Sequence, residues 1–149
     1  MRAIVERVNE ASVTVDGRVV GEIGPGLLVY VGVAKEDAAE DVEYIREKLA
    51  GLRIFNDPAG KMNLSVVDVR GGLLVISAFA LQADARKGRR PSFDAAAGPE
   101  LAEQLYNRLC DELSRTGLTV ARGVFRAHMH VTCVNDGPIC ILLDSKRLF

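Results

Sequence analysis

Leu27-Leu28-Val29-Tyr30-Val31-Gly32-Val33 and Leu73-Leu74-Val75-Ile76-Ser77 are the two stretches whose reading decides the fold. Each is apolar at nearly every position instead of every second one, the pattern of a strand buried on both faces. Such strands sit inside a sheet, not at its rim. Residues 2 to 33 hold three strand-like runs, the first two short and alternating, the third being the stretch just quoted. Asp16-Gly17, between Ser12-Val13-Thr14-Val15 and Arg18-Val19-Val20, predicts a two-residue hairpin turn, because Asp-Gly tolerates the positive φ of a type I′ turn.

Outward from these strands the period changes. Val42, Ile45 and Leu49 share a helical face and Gly51 offers a C-terminal cap, predicting a first helix over residues 38 to 50. Leu52-Arg53-Ile54-Phe55 reads as a strand closing on the turn Asn56-Asp57-Pro58-Ala59-Gly60, and Val66-Val67-Asp68-Val69 leads through Gly71-Gly72 into the second buried stretch. Pro99 opens a second helix whose stripe of Leu101, Ala102, Leu105, Tyr106, Leu109, Cys110 and Leu113 must pack on a sheet, with Gly117 as its stop. Strands are expected at 118 to 121, 127 to 134 and 139 to 143, the last two joined by a turn at Asn135-Asp136-Gly137-Pro138. Only some of these connections are long enough for parallel crossovers. The expectation is one α/β domain over residues 1–149, a mixed and curled sheet with two main helices packed on it.

Composition narrows the function. With 149 residues, 48% hydrophobic and 26% charged, the chain is globular and one core's worth. It has 19 basic and 20 acidic residues, so a net charge of -1 gives no general attraction to nucleic acid or to an anionic membrane, and any polyanion must meet a local patch. Cys110, Cys133 and Cys140 are odd in number and form no C-x-x-C pair, which speaks against a disulfide framework or a four-ligand zinc site and for reduced core thiols. The early charges at Arg2, Glu6 and Arg7 argue against a signal peptide, and the apolar run from Leu27 to Ala34 is far too short to span a bilayer. No membrane association and a cytoplasmic location are expected. Neither G-x-G-x-x-G nor G-x-x-x-x-G-K occurs, which disfavours dinucleotide redox chemistry and nucleotide hydrolysis.

Four places carry candidate chemistry. His128 and His130, two apart on a strand, share one face as a metal site or acid/base pair would, although no nearby cysteine or carboxylate supplies a third ligand and a solvent-facing strand explains them as well. Ser77 is a possible nucleophile, but its flanks lack the glycine elbow of hydrolases. Arg86, Lys87, Arg89 and Arg90 surround Gly88 just after a central strand, where α/β sheets open their sites; such a loop can grip RNA or nucleotide phosphates even at neutral net charge, although a solvated loop explains it as well. Asn135-Asp136-Gly137-Pro138 is first a turn. A Gly-Pro bond also adopts cis at modest cost, and a cis bond there aims neighbouring carbonyl oxygens in a fixed direction, as rigid acceptors that reject one enantiomer by clash.

Met1-Arg2-Ala3-Ile4-Val5-Glu6-Arg7-Val8, Ala11-Ser12-Val13-Thr14-Val15, Gly26-Leu27-Leu28-Val29, Lys61-Met62-Asn63-Leu64-Ser65, Lys87-Gly88-Arg89-Arg90-Pro91-Ser92-Phe93 and Asn135-Asp136-Gly137-Pro138 together resemble the D-aminoacyl-tRNA deacylases. The likeness runs the length of the chain, in kind, order and spacing. It implies the fold of that family, a homodimer, no metal or organic cofactor, and hydrolysis of the ester joining a D-amino acid, or glycine mischarged on tRNA-Ala, to tRNA. It implies catalysis at Ser77, Ala78, Phe79 and Ala80, mainly through backbone amides, with Leu81, Met129, Asn135 and Cys140 also at the substrate. It implies too that Gly137 and Pro138, held by Arg7, cross into the partner's pocket and exclude L-amino acids, while Arg86 to Arg90 meet tRNA phosphates.

The chain departs from the family pattern where chemistry would be read. Ser77-Ala78-Phe79-Ala80-Leu81 stands where the family has Ser-Gln-Phe-Thr-Leu, Cys140 replaces a threonine, and Arg126-Ala127-His128-Met129 replaces Gly-Ala-Asp-Met. A threonine nucleophile cannot act from Ala80, whereas main-chain donors survive any side-chain change. Two alternatives stay open: a tRNA-binding member of the fold that has lost turnover, and a metal hydrolase built on His128 and His130.

Overall fold

The computed structural model describes residues 1–149. A hairpin of β1 (Arg2–Val15) and β2 (Arg18–Ile23) runs into β3 (Gly26–Gly32), α1 (Ala39–Gly51), a small hairpin of β4 (Phe55–Asn56) and β5 (Met62–Leu64), β6 (Gly72–Ser77), α2 (Pro99–Ser114), β7 (Thr119–Arg122) and β8 (His130–Asp144). Asp16 and Gly17, at φ 49° and 75°, turn the first hairpin as their sequence demands. In the main sheet β1 is antiparallel to β2, β3 and β8, while β3, β6 and β7 run parallel to one another. The crossovers between the parallel strands carry the helices.

Two cores explain why the central strands are apolar at every position. Leu27, Val29, Val31, Leu73 and Val75 face the helices and pack with Val42, Ile45, Leu49, Leu105, Leu109 and Leu113. Leu28, Leu74 and Ile76 face the other way and pack with Val8, Ala11, Val13 and Ile23 inside the curl of the sheet. Each such side chain, fully buried, contributes roughly 1.5–3 kcal/mol of hydrophobic stabilisation. The curl is tight enough that a Cβ at Gly21 of β2 would lie 2.6 Å from the carbonyl oxygen of Arg122 in β7, so only glycine fits there. No helix is long and apolar enough to cross a membrane.

Three expectations need correction. The first of the two short runs of the N-terminal region is not short: β1 is one strand of 14 residues, bent by bulges. Leu52, Arg53 and Ile54 are not strand, because β5 offers partners only to Phe55 and Asn56. Nor do two final strands meet at a reversing turn. β8 is a single strand that keeps its direction along β1, with Asn135 opposite Val8 and Cys140 opposite Glu6, so that Asp136–Ile139 are looped out of it. Residues 127 to 129 precede this strand in a turn closed by the Ala127 N–H on the Val124 carbonyl. Asn135-Asp136-Gly137-Pro138 does bend the chain, but the length of β1 provides a template on both sides of the loop.

Candidate active site

The site is built where the parallel strands end. The Ala78 N–H donates to the Val31 carbonyl at 2.8 Å, extending the β3–β6 ladder by one step beyond Ser77. The backbone then winds into a 3-10 turn over Phe79–Gln82. Gln82 Nε2 donates to the Gly32 carbonyl at 2.7 Å and Arg2 Nη1 to the Leu81 carbonyl at 3.1 Å, which pins the turn to β3 and β1. The first bond of the turn is donated by Leu81 to the Ala78 carbonyl, so the N–H groups of Phe79 and Ala80 precede the turn's own i to i+3 bonds. Of the backbone donors over residues 77 to 81, those of Ala78 and Leu81 are engaged, with the Val31 and Ala78 carbonyls respectively.

Beneath the turn lies a cavity of about 400 Å³. Its walls are Ser77, Ala78, Phe79 and Ala80 on one side, the helix-entry residues Ala96, Ala97, Pro99 and Ala102 on another, and Phe125, Arg126, Ala127 and Met129 on a third. Small side chains make the room. Tyr106 reaches it from α2, and its hydroxyl donates to the Val75 carbonyl at 2.9 Å. Burial pushes the Tyr106 phenol up, and it pushes the Cys110 thiol beside it to about 11, so both stay protonated at neutral pH. No histidine and no carboxylate lines the cavity. Ser77 therefore has no histidine or carboxylate beside it there, and the polar resources of a mainly apolar site are Arg126, the hydroxyls of Ser77 and Tyr106, and backbone amides.

Of the residues expected at the site, Ser77, Ala78, Phe79, Ala80 and Met129 come together here, and Leu81 follows in the same turn. Arg7, Asn135, Gly137, Pro138 and Cys140 do not line this cavity. They build a second feature on β1 and β8. The Asn135 side chain clamps the looped-out segment, its Nδ2 donating to the Ile139 carbonyl at 3.1 Å and its Oδ1 accepting from the Ile139 N–H at 2.8 Å. Buried Arg7 donates from Nε to the Asp136 carbonyl at 3.1 Å and from Nη1 to the Ile54 carbonyl at 2.6 Å. Between these anchors the Gly137-Pro138 bond is cis and both residues are exposed.

The cysteines are not all core thiols: Cys110 is buried, Cys133 half-buried and Cys140 exposed. Burial, followed by the Glu6 carboxylate 3.5 Å from its sulfur, raises the Cys133 thiol. His128 and His130 are exposed, with rings 5.0 Å apart, and no third group of ligand type is gathered with them. The basic residues stand on a loop closed by paired backbone bonds between Asp84 and Ser92. Arg86 is held by Asp84 through two hydrogen bonds, whereas Lys87, Arg89 and Arg90 have no acidic partner.

Pro99, Ala102, Tyr106 and Phe125 are cavity residues that sequence reasoning did not assign to the site. The helix stripe accounted for Ala102 and Tyr106 as core. The signal that was present is Ala95-Ala96-Ala97-Gly98, a run of small residues entering a helix, which leaves space against the sheet.

Comparison with known proteins gives consistent results. The sequence model described as D-Tyr-tRNA(Tyr) deacylase matches residues 4–144. A D-aminoacyl-tRNA deacylase of Anaeromyxobacter dehalogenans is 58% identical over the full length of both chains, and one of Thermotoga petrophila is 56% identical over the same span. Among solved structures, a c-Myc DNA unwinding element binding protein superimposes with a TM-score of 0.92 at 39% identity, covering 97% of this chain and 98% of that one. A probable eukaryotic D-amino acid tRNA deacylase, at 17% identity, shares the fold with a TM-score of 0.81 over 95% of this chain and 97% of its own.

Proposed function

This chain belongs to the D-Tyr-tRNA(Tyr) deacylase family and is a hydrolase acting on D-aminoacyl-tRNA; we propose that it cleaves the ester in the cavity at the end of β6, by backbone catalysis, with a second copy of the chain supplying the gate. The observation that carries this reading is the pair of N–H groups on Phe79 and Ala80, ahead of the turn's own hydrogen bonds in residues that line a cavity without histidine or carboxylate.

The terminal adenosine of tRNA enters the apolar cavity and the ester carbonyl lies against the turn. Water adds to the carbonyl carbon, and the oxygen that takes up negative charge is met by the two N–H groups. Collapse breaks the bond to the ribose oxygen, which leaves with a proton as the free hydroxyl of tRNA, and the amino acid departs as a carboxylate. The neighbouring 2′-hydroxyl of the terminal ribose assists in activating water. Loss of one oxyanion donor costs about 3 kcal/mol in such systems, so dipoles alone supply a useful fraction of the acceleration that an activated ester requires.

Chirality is read by the looped-out segment. Gly137 and Pro138 are absent from the cavity of their own chain and exposed, and the residues on either side are held, the Asp136 carbonyl by Arg7 and the Ile139 N–H and carbonyl by Asn135. This arrangement supports a homodimer in which each loop enters the neighbour's cavity and occupies the space an L side chain needs; glycine, lacking a side chain, is accepted. Exposed Val134 and Leu142 on β8 support the same contact. Lys87, Arg89 and Arg90 then meet the tRNA backbone, and the enzyme acts in the cytoplasm. Matched D- and L-tyrosyl-tRNA test the reading: the expected result is release of D-tyrosine with L-tyrosyl-tRNA spared and no effect of chelator. Binding of both without release of D-tyrosine would favour a tRNA-binding member without turnover.

A further inference from the structure

Phe79 and Phe93 form an aromatic pair at the mouth of the cavity, ring centroids 4.9 Å apart and planes inclined at 60°. They are 61% and 40% exposed, and neither belongs to either core, so folding does not account for two phenylalanines in water. Phe79 lines the cavity and Phe93 does not. Phe93 directly follows Ser92, whose bonds with Asp84 close the loop that carries Lys87, Arg89 and Arg90 without acidic partners. Cavity, ring pair and unpaired cations therefore succeed one another along one path over the surface.

Aromatic faces beside free cations are what a single strand of nucleic acid requires: bases stack whatever their identity, and phosphates take the charges. We propose that Phe93, braced edge-on by Phe79, is the stacking platform for the unpaired base of the nucleotide immediately before the esterified adenosine. This rests on the deacylase reading and extends it from the terminal nucleoside to the strand behind it. The platform serves binding of the RNA, not the chemistry at the ester.

Steady-state kinetics on two esters test it: D-tyrosyl-tRNA, and D-tyrosyl-adenosine, which has the same ester and no preceding nucleotide. Phe93→Leu is expected to raise KM about tenfold on D-tyrosyl-tRNA with kcat within about twofold, and to leave D-tyrosyl-adenosine unaffected. Phe93→Tyr, which keeps the face, is expected to restore the original KM. Equal losses on both esters for Phe93→Leu, or no change on either, would overturn the platform while leaving the deacylase intact. Failure of the unmodified protein on both esters would overturn the deacylase reading itself, and the platform with it.

Discussion

Arg7 is the side chain that braces the looped-out segment from within the fold, for it is 7% exposed and ties the Asp136 carbonyl to the Ile54 carbonyl. A lysine carries one ammonium on a flexible stem and cannot reproduce the guanidinium fork. Arg7→Lys should destabilise the fold by on the order of 2 kcal/mol in urea titration, since a buried carbonyl loses its partner. It should also loosen the loop and raise hydrolysis of L-tyrosyl-tRNA relative to D. Ala80 is the complementary case, because its side chain does nothing that the proposed chemistry needs. Ala80→Thr, which restores the family's hydroxyl, should change kcat on D-tyrosyl-tRNA by no more than about threefold. A rise of a hundredfold would mean that hydroxyl chemistry had been lost here and regained.

At the level of elements, the start of α1 is locked to the C-terminal segment. Asp41 Oδ2 accepts from the Ala38 N–H at 2.8 Å, while its Oδ1 accepts from Ser145 Oγ at 2.6 Å and pairs with Lys146 Nζ at 2.7 Å. Burial alone would raise this carboxyl, but the bonds from Lys146, Ser145 and Ala38 outweigh it and pull it down to about 2 from an ordinary 3.8. The unfolded chain therefore binds the proton more readily. The stability this contributes is complete above about pH 5 and is lost as pH falls from about 4 toward 2. Urea midpoints across that range should fall steeply, and Asp41→Asn should flatten the profile. The elements also show what was readable beforehand. Continuous apolar runs found β3 and β6 because burial on both faces leaves no polar position to misread, and the helix stripes found α1 and α2 for the corresponding reason. The single course of β8 was not readable, since Asn-Asp-Gly-Pro specifies a local bend and only the distant β1 decides whether the chain reverses there. The cavity was half readable: the family resemblance pointed to residues 77 to 81, whereas the small residues Ala96 and Ala97 mark space before a helix without saying what the space is for.

On the scale of the whole molecule, the proposed reaction draws on two separate places in the fold. One chain holds a cavity and its donors at one place, and a braced loop elsewhere that lines no part of that cavity. In the proposed dimer two copies complete each other. Mixed dimers test it most directly. One subunit would carry Ala102→Trp, which fills the cavity but keeps the loop, and the other Pro138→Ala with Gly137→Ala, which alters the loop but keeps the cavity. Alone, the first should hydrolyse neither tyrosyl-tRNA and the second should hydrolyse both. The purified mixed dimer should hydrolyse D-tyrosyl-tRNA and spare L, because its one open cavity faces the intact loop; L hydrolysis at half the rate of the loop variant, or failure of the subunits to associate, would contradict the account.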